Sequence, residues 1–226
     1  MTAGRRSPRP TDFRRLRTVL LLALLGAAAL ALPAAAVHYK QGDPVTLTGI
    51  VSDANGAPLA GVRVVFEASR SYFSFRQLRR DEKDLRKVTA TTDEHGSYTI
   101  VWPWDSYFNR FSIVAGVPVK VRGGEKLEEL DRQEVTRAVS GGSPAVVSVV
   151  VKSREFLDRF RAFLASIQTD DQRKVYDELG KPDKIQNVQS QRSVESSWWY
   201  FEIGRVYRFR DGRLEQVVPF DPVKGF

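Results

Sequence analysis

The 226-residue chain has no cysteine, which excludes disulfides, a thiolate nucleophile, zinc–thiolate sites and a lipidated N-terminal cysteine. Without staples, whatever folds here must hold by its own core or by docking to a neighbour. Histidine is scarce as well. His38 and His95 stand far apart, and neither has the spacing of a catalytic triad or a metal site. His95, beside Gly96, reads as a turn residue. Asp53 with Asn55 and Asp93 with Glu94 lack the loop pattern of a calcium site and read as hairpin turns. No catalytic residue, metal ligand or cofactor is expected, although the plentiful Ser, Asp and Glu leave a hydrolase with an unfamiliar site as an alternative.

Beyond its first residues the chain also has little excess charge. The formal net charge is +8, but residues 1–17 carry six arginines against Asp12 alone, a contribution of +5, so the remainder carries +3. A pI of 9.8 is therefore mostly a property of the N-terminus, and nucleic-acid binding is not expected.

That N-terminus runs basic, then apolar, then small. Arg5 to Arg17 is followed by the uncharged Leu/Ala-rich stretch Thr18–Ala36, the layout of an export signal. Ala34-Ala35-Ala36 suits a signal peptidase, with cleavage before Val37. The nineteen uncharged residues are also close to the length that spans a bilayer, so a retained inner-membrane anchor at 18–36 is the alternative. Both place the working protein in the periplasm or cell envelope.

After a linker at 37–44, period-two patterning begins. Val45, Leu47, Gly49 and Val51 alternate with Thr46, Thr48, Ile50 and Ser52, with Ile50 breaking the alternation as in a strand buried on both sides. Strands are expected at Val62–Ala68, Val88–Thr92 and Ser97–Val101, punctuated by Asp53-Ala54-Asn55-Gly56 and Asp93-Glu94-His95-Gly96, which supply turn chemistry. Phe111–Val114 reads as a further strand. Glu125–Val139 shows Leu127, Leu130, Val135 and Ala138 near helical spacing and ends at Gly141-Gly142. Ala145–Val151 reads as a closing, fully buried strand. Together these predict an antiparallel β-sandwich over 45–152.

Thr48-Gly49-Ile50-Val51-Ser52-Asp53, then Gly56, Pro58, Leu59, Gly61, Val62 and Val64, then Thr91-Thr92-Asp93 and Gly96-Ser97-Tyr98 resemble the carboxypeptidase regulatory-like domain. The resemblance implies an Ig-like or transthyretin-like β-sandwich of about seven strands. It also implies a non-catalytic accessory module of exported and surface proteins, with contacts to protein or carbohydrate. The present chain inserts residues 71–87 between the second and third strands of that plan. The insert opens with Tyr72, Phe73 and Phe75 and continues with Arg76, Arg79, Arg80, Lys83, Arg86 and Lys87 against Asp81, Glu82 and Asp84. Such residues can grip an anionic glycan, a phospholipid headgroup or a partner chain; the blander expectation is a solvated helical excursion whose rings fold back onto the sandwich. A second cluster, Trp102, Trp104, Tyr107, Phe108 and Phe111, either closes the core or stacks on sugars.

The remaining residues, 153–226, predict an α+β domain. Phe156, Leu157, Phe160, Phe163, Leu164 and Ile167 form one helical stripe. Thr169 and Gln172 make a capping-box pattern, and a second helix ends at Gly180 before Pro182. Strands follow at Lys184–Val188, Ser196–Ile203, Arg205–Phe209 and Leu214–Val218, with Trp198, Tyr200, Tyr207 and Phe209 on the helix-facing side or its rim. Val175-Tyr176-Asp177-Glu178-Leu179-Gly180-Lys181-Pro182-Asp183, Trp198-Trp199-Tyr200 and Phe209-Arg210-Asp211-Gly212-Arg213-Leu214 are similar to the small outer-membrane assembly lipoprotein family (SmpA/OmlA type). That resemblance implies a helix-helix-sheet module for binding and scaffolding in the cell envelope.

The sequence thus describes a multidomain chain, all-β followed by α+β, behind a signal or anchor. The function expected is non-enzymatic binding or scaffolding of an envelope macromolecule, with a polysaccharide-binding accessory module as the alternative. Candidate contact residues are Tyr72, Phe73, Phe75, Arg76, Arg79, Arg80, Trp102, Trp104 and Trp198.

Overall fold

The computed structural model describes residues 38–74, 76, 79–191 and 193–223, with 79 and 80 described by backbone alone. The export segment 1–36 and the ring of Phe75 lie outside the described residues. No helix among those described is long and apolar enough to cross a membrane.

The described chain is mostly β, in several sheets, with three helices. In order come β1 (Pro44–Asp53), β2 (Arg63–Ser74), β3 (Arg79–Thr91), β4 (Ser97–Pro103), β5 (Arg110–Val121), β6 (Gly124–Glu134), α1 (Thr136–Gly141), β7 (Ala145–Val146) and β8 (Val149–Val151). Then follow α2 (Glu155–Ser166), α3 (Asp170–Leu179), β9 (Lys184–Gln189), β10 (Val194–Tyr200), β11 (Arg205–Arg210) and β12 (Arg213–Pro219). One sheet runs β4-β1-β7, with β8 also on β1; a second runs β3-β2-β5-β6; the third runs β12-β11-β10-β9.

The first two sheets meet through apolar side chains set by strand alternation. Val45, Leu47 and Val51 of β1 are fully buried beside Val64, Phe66 and Ala68 of β2 and Phe111, Ile113 and Ala115 of β5. Phe66 touches Trp102 of β4 at 5.5 Å between centroids and stacks on Phe111 at 5.7 Å. Gly49 marks a close approach: a Cβ there would lie 1.7 Å from the Val147 carbonyl oxygen, which instead accepts a 2.6 Å bond from the Tyr98 hydroxyl. β7 and β8 pair with β1 in parallel, not antiparallel.

Three expectations are overturned here. Residues 125–134 form strand β6, not a helix. Leu127 and Leu130 stand three apart, which mimics a helix, but β5 and β6 shift register at Ala115/Gly116. That bulge carries an extra residue at Leu130 and shifts the strand's alternation; a short helix begins only at Thr136. The segment 145–151 is not buried throughout. It alternates, with Val146 73% and Val150 52% exposed, because no layer among the described residues covers its outer face. Ile50, expected on a doubly buried strand, is 46% exposed on that same outer face.

The helices follow their stripes and caps, except that Leu164 of the expected α2 stripe is 38% exposed and Phe156 only partly buried. Leu157, Phe160 and Phe163 of α2 are buried, and Phe163 meets Trp198 edge-on at 5.4 Å. Thr169 caps α3 by accepting from the Gln172 amide, while Gln172 accepts from the Gln168 amide. Thr169 also donates to the Gly212 carbonyl at 2.6 Å, tying the cap to the β11–β12 turn.

The apolar core is continuous across 152/153. One apolar cluster runs from Val45 to Phe209. Arg154 pairs with the buried Asp53 at 2.9 Å, and Arg161 donates to the Ala60 carbonyl at 2.5 Å. At the far end the Lys181 amide donates to Lys120 O at 2.8 Å, and Lys120 pairs with Asp177 at 2.9 Å. Gly180, at φ +77°, seats here with room for no Cβ: one would lie 2.3 Å from the Lys120 oxygen.

Candidate functional site

The charged insert is a β-ribbon, and the expectation of a helical excursion with infolded rings is overturned. β2 pairs with β5 only as far as Ser69↔Arg110, whereas its pairing with β3 continues from Arg70↔Lys83 to Ser74↔Arg79. Alternating polar and apolar residues satisfy a two-stranded ladder as readily as a sheet. The last five residues of β2 therefore leave the sheet as an arm. A register shift between Ala68 and Arg70, opposite Asp84 at φ +55°, bends the strand where the arm departs.

The base of the arm is fixed where β5 stops. The Asn109 side chain stands in for the missing strand: its carbonyl oxygen accepts from the Ser71 amide at 2.7 Å and its amide donates to Ser71 O at 3.0 Å. Arg70 donates to the Tyr107 carbonyl at 2.8 Å and lies over the Tyr107 ring.

Acids and bases on the ribbon are used differently. Glu82 accepts from Ser69 at 2.9 Å and from Arg110, and Arg110 also reaches Glu134 at 3.2 Å. Asp84 accepts from the Tyr107 hydroxyl; that bond raises the Tyr107 pKa above the usual phenol range. Nearer the sheet, Glu67 is bound by Lys87 at 2.8 Å and Arg132 at 2.6 Å. Burial alone would raise the Glu67 carboxyl, but these two cations outweigh it and hold the carboxyl below the ordinary range. Glu82 and Asp84 are thus engaged within the molecule, whereas Lys83 rests over the Tyr72 ring at 5.5 Å and Arg76 is exposed.

The apolar side chains are exposed too: Tyr72 is 44%, Phe73 48% and Leu85 51% accessible. Beside them opens a groove of about 420 Å³ lined by Ser71, Tyr72, Phe73, Asn109, Arg110 and Glu134.

The candidate residues divide accordingly. Tyr72, Phe73 and Arg76 come together on the arm, and the backbones of Arg79 and Arg80 run in its second strand. Trp102 and Trp198 do not join them. At 3% and 1% exposure both are core side chains, Trp198 wedged against Phe163 and Phe209, so neither is a contact residue. Trp104 is half-buried against Tyr39 and Phe111. Of the doublet Trp198-Trp199 only one can face the helices; Trp199 lies on the opposite face of the sheet against Phe201 and Phe220, with Lys184 over its ring at 5.7 Å. Tyr107, legible in the sequence only as one ring of the second aromatic cluster, fastens the arm through Arg70 and Asp84, and Asn109 left no signal beyond its place between two strands.

Among the described residues no group of three or more His, Asp or Glu is placed to hold a metal ion. The site offers rings, cations and an open groove, an assembly suited to holding a surface.

No protein-family model matches the chain, and no curated protein matches it. Among solved structures it is similar to the dioxygenase domain of a dioxygenase–carbohydrate-binding protein fusion from the cellulolytic bacterium Streptomyces sp. SirexAA-E. The identity is 16%, the TM-score 0.30, and the match covers 51% of this chain and 84% of that one. A likeness at that level bears on neither activity nor ligand.

Proposed function

We propose that the chain is a non-enzymatic, exported cell-envelope protein that binds or scaffolds another envelope protein, with the β2–β3 arm as its contact. In this reading residues 45–152 are an Ig/transthyretin-like sandwich of carboxypeptidase regulatory-like type. Residues 153–226 are a helix-helix-sheet module of SmpA/OmlA type, and 18–36 is the export signal or inner-membrane anchor. The observation that carries the reading is the arm's surface: Glu82 and Asp84 are engaged by Ser69, Arg110 and Tyr107, while the Tyr72 and Phe73 rings stand nearly half exposed beside Arg76 and Lys83. Exposed rings beside cations are costly to keep on a monomer's surface unless something covers them. The polysaccharide alternative rests on Trp102 and Trp104; Trp102 is buried and Trp104 is half-buried against Tyr39 and Phe111, so it is not preferred.

A photo-crosslinking residue at position 72, compared with one at the more exposed Val101, tests this in intact envelopes. A discrete adduct from position 72 and none from position 101 is expected. Equal labelling at both, or none at 72, removes the arm from the function. N-terminal sequencing of the envelope-associated chain decides between a cleaved signal and an anchor.

A further inference from the structure

Edge strands present unpaired amides and carbonyls, and folded proteins guard them with charge, proline, bulges or shortness. Most edges in this chain are guarded. β3 carries eight charged residues in thirteen and β6 seven in eleven; β12 carries Arg213 and Glu215, ends in Pro219 and has a register irregularity. β4 ends in Pro103 and has β3 beside it, and β7 and β8 are two and three residues long. Among the described residues β9 is the least protected edge. Its six residues, Lys-Ile-Gln-Asn-Val-Gln, are exposed throughout, with one charge, no proline and no irregularity against β10.

The edge also borders a groove. Ile185 pairs with Trp198 and so faces α2. Between Ile185 and that helix lies a space of about 430 Å³ lined by Phe156, Phe160, Phe163, Pro182, Arg159 and Lys181 among others. Ile185 is 36% exposed. The lining carboxylate, Asp183, is engaged with the Phe201 amide at 2.7 Å. Among the described residues Arg159 pairs with the equally exposed Glu155, at 3.4 Å with both 71% accessible, a screened pair that an incoming carboxylate readily displaces. Lys181 has no salt-bridge partner among the described residues. The groove is therefore apolar at its floor and cationic at its lip.

We propose that β9 and its groove form a strand-addition site for an extended segment of another protein that carries an apolar anchor flanked by an acidic residue. A strand laid about 4.8 Å beyond β9 extends the four-stranded sheet through main-chain hydrogen bonds. Alternate side chains of that segment then fall on the α2 side, where the anchor meets Phe156, Phe160 and Ile185, while its acidic neighbour reaches Arg159 and Lys181. The inference rests on the reading of the chain as a binding module, but not on the arm.

The test is to pan the full-length chain against a phage-displayed library of random dodecapeptides and to measure the enriched sequences as synthetic peptides by fluorescence anisotropy. Enriched peptides should alternate, with Phe, Leu or Ile within two residues of Asp or Glu. Ile185→Asp should weaken them at least tenfold, and N-methylation of alternate peptide amides should abolish binding on one register only. The surface variant Arg159→Glu with Lys181→Glu, which leaves the core untouched, should turn the preference toward basic peptides. Tyr72→Ala with Phe73→Ala should change nothing here, so a failed arm and a failed edge are told apart. The proposal is overturned by no enrichment, by peptides indifferent to both the position-185 and charge-reversal variants, or by tolerance of N-methylation at every position. It is equally overturned if sedimentation shows a dimer that Ile185→Asp dissolves in place of peptide binding, since the occupant is then a second copy.

Discussion

β2 contains two environments in one strand. From Val64 to Ala68 its side chains are buried; from Ser71 to Ser74 they are half-buried or exposed. Both stretches pair with β3, and both mix apolar with polar residues. The difference is the third strand: β5 accompanies β2 only to Arg110, and the facing sheet covers only what β5 flanks. Burial here is decided by the neighbours a strand keeps, not by its own hydrophobicity. The same aromatic side chain is thus core at position 66 and surface at position 73.

Phe66→Ala tests the buried half with the largest effect. The ring touches Trp102 and Phe111 and is fully buried, so truncation leaves a cavity and should cost about 3–5 kcal/mol. Denaturant unfolding measures this. A loss under about 1 kcal/mol would mean that the two sheets do not depend on this contact.

The comparison extends to the joint between the halves, where Gly180 abuts Lys120. Gly180→Ala places a methyl against the Lys120 backbone at a positive φ, and should cost about 2–3 kcal/mol. Because one apolar cluster spans both halves, unfolding should stay a single transition, lowered in temperature. Two separated transitions in calorimetry would show that the halves hold independent cores.

These contrasts explain which parts of the fold could be read in advance. The α2 stripe, the Thr169 cap, the Gly180 terminus and the strands after Pro182 follow local rules of period, capping and turn chemistry, and they lie close to where those rules put them. What failed depended on partners distant in sequence. Leu127 and Leu130 looked helical because a bulge against β5 shifts the alternation. The arm looked helical or infolded because nothing local says where β5 ends. Trp198 and Trp199 are chemically identical neighbours whose facing is fixed by pairing with Tyr207 and Val206. At the candidate site the exposed rings and cations were legible as types, whereas the internal bonds that occupy Glu82 and Asp84 were not.

A smaller effect separates the joint's two ends by pH. At one end Asp53 is held below the usual carboxylate range, first by its bond to Arg154 and then by the Ala57 amide. A depressed folded pKa contributes stability that is fully present above the unfolded value near 4 and is lost as pH falls through the folded value. Asp53→Asn should therefore lower the melting temperature at pH 7. The gap to the unmodified protein should narrow steadily below about pH 4. A gap that stays constant from pH 7 to pH 2 would show that the ion pair with Arg154 contributes nothing.

The smallest effect is expected at the arm's rings, and its smallness is informative. Tyr72→Ala and Phe73→Ala remove side chains nearly half exposed, so each should change stability by about 0.5 kcal/mol or less. The arm's hold on the sheet passes instead through Asn109, which bonds both the amide and the carbonyl of Ser71. Asn109→Ala should therefore destabilise the ribbon more than either ring substitution, by about 1–2 kcal/mol, and should speed hydrogen exchange at Ser71. If Phe73→Ala instead cost as much as Phe66→Ala, the ring would be structural and the arm would lose its claim as a contact surface. If stability is unchanged while the crosslink from position 72 disappears, the ring is kept exposed for what it touches.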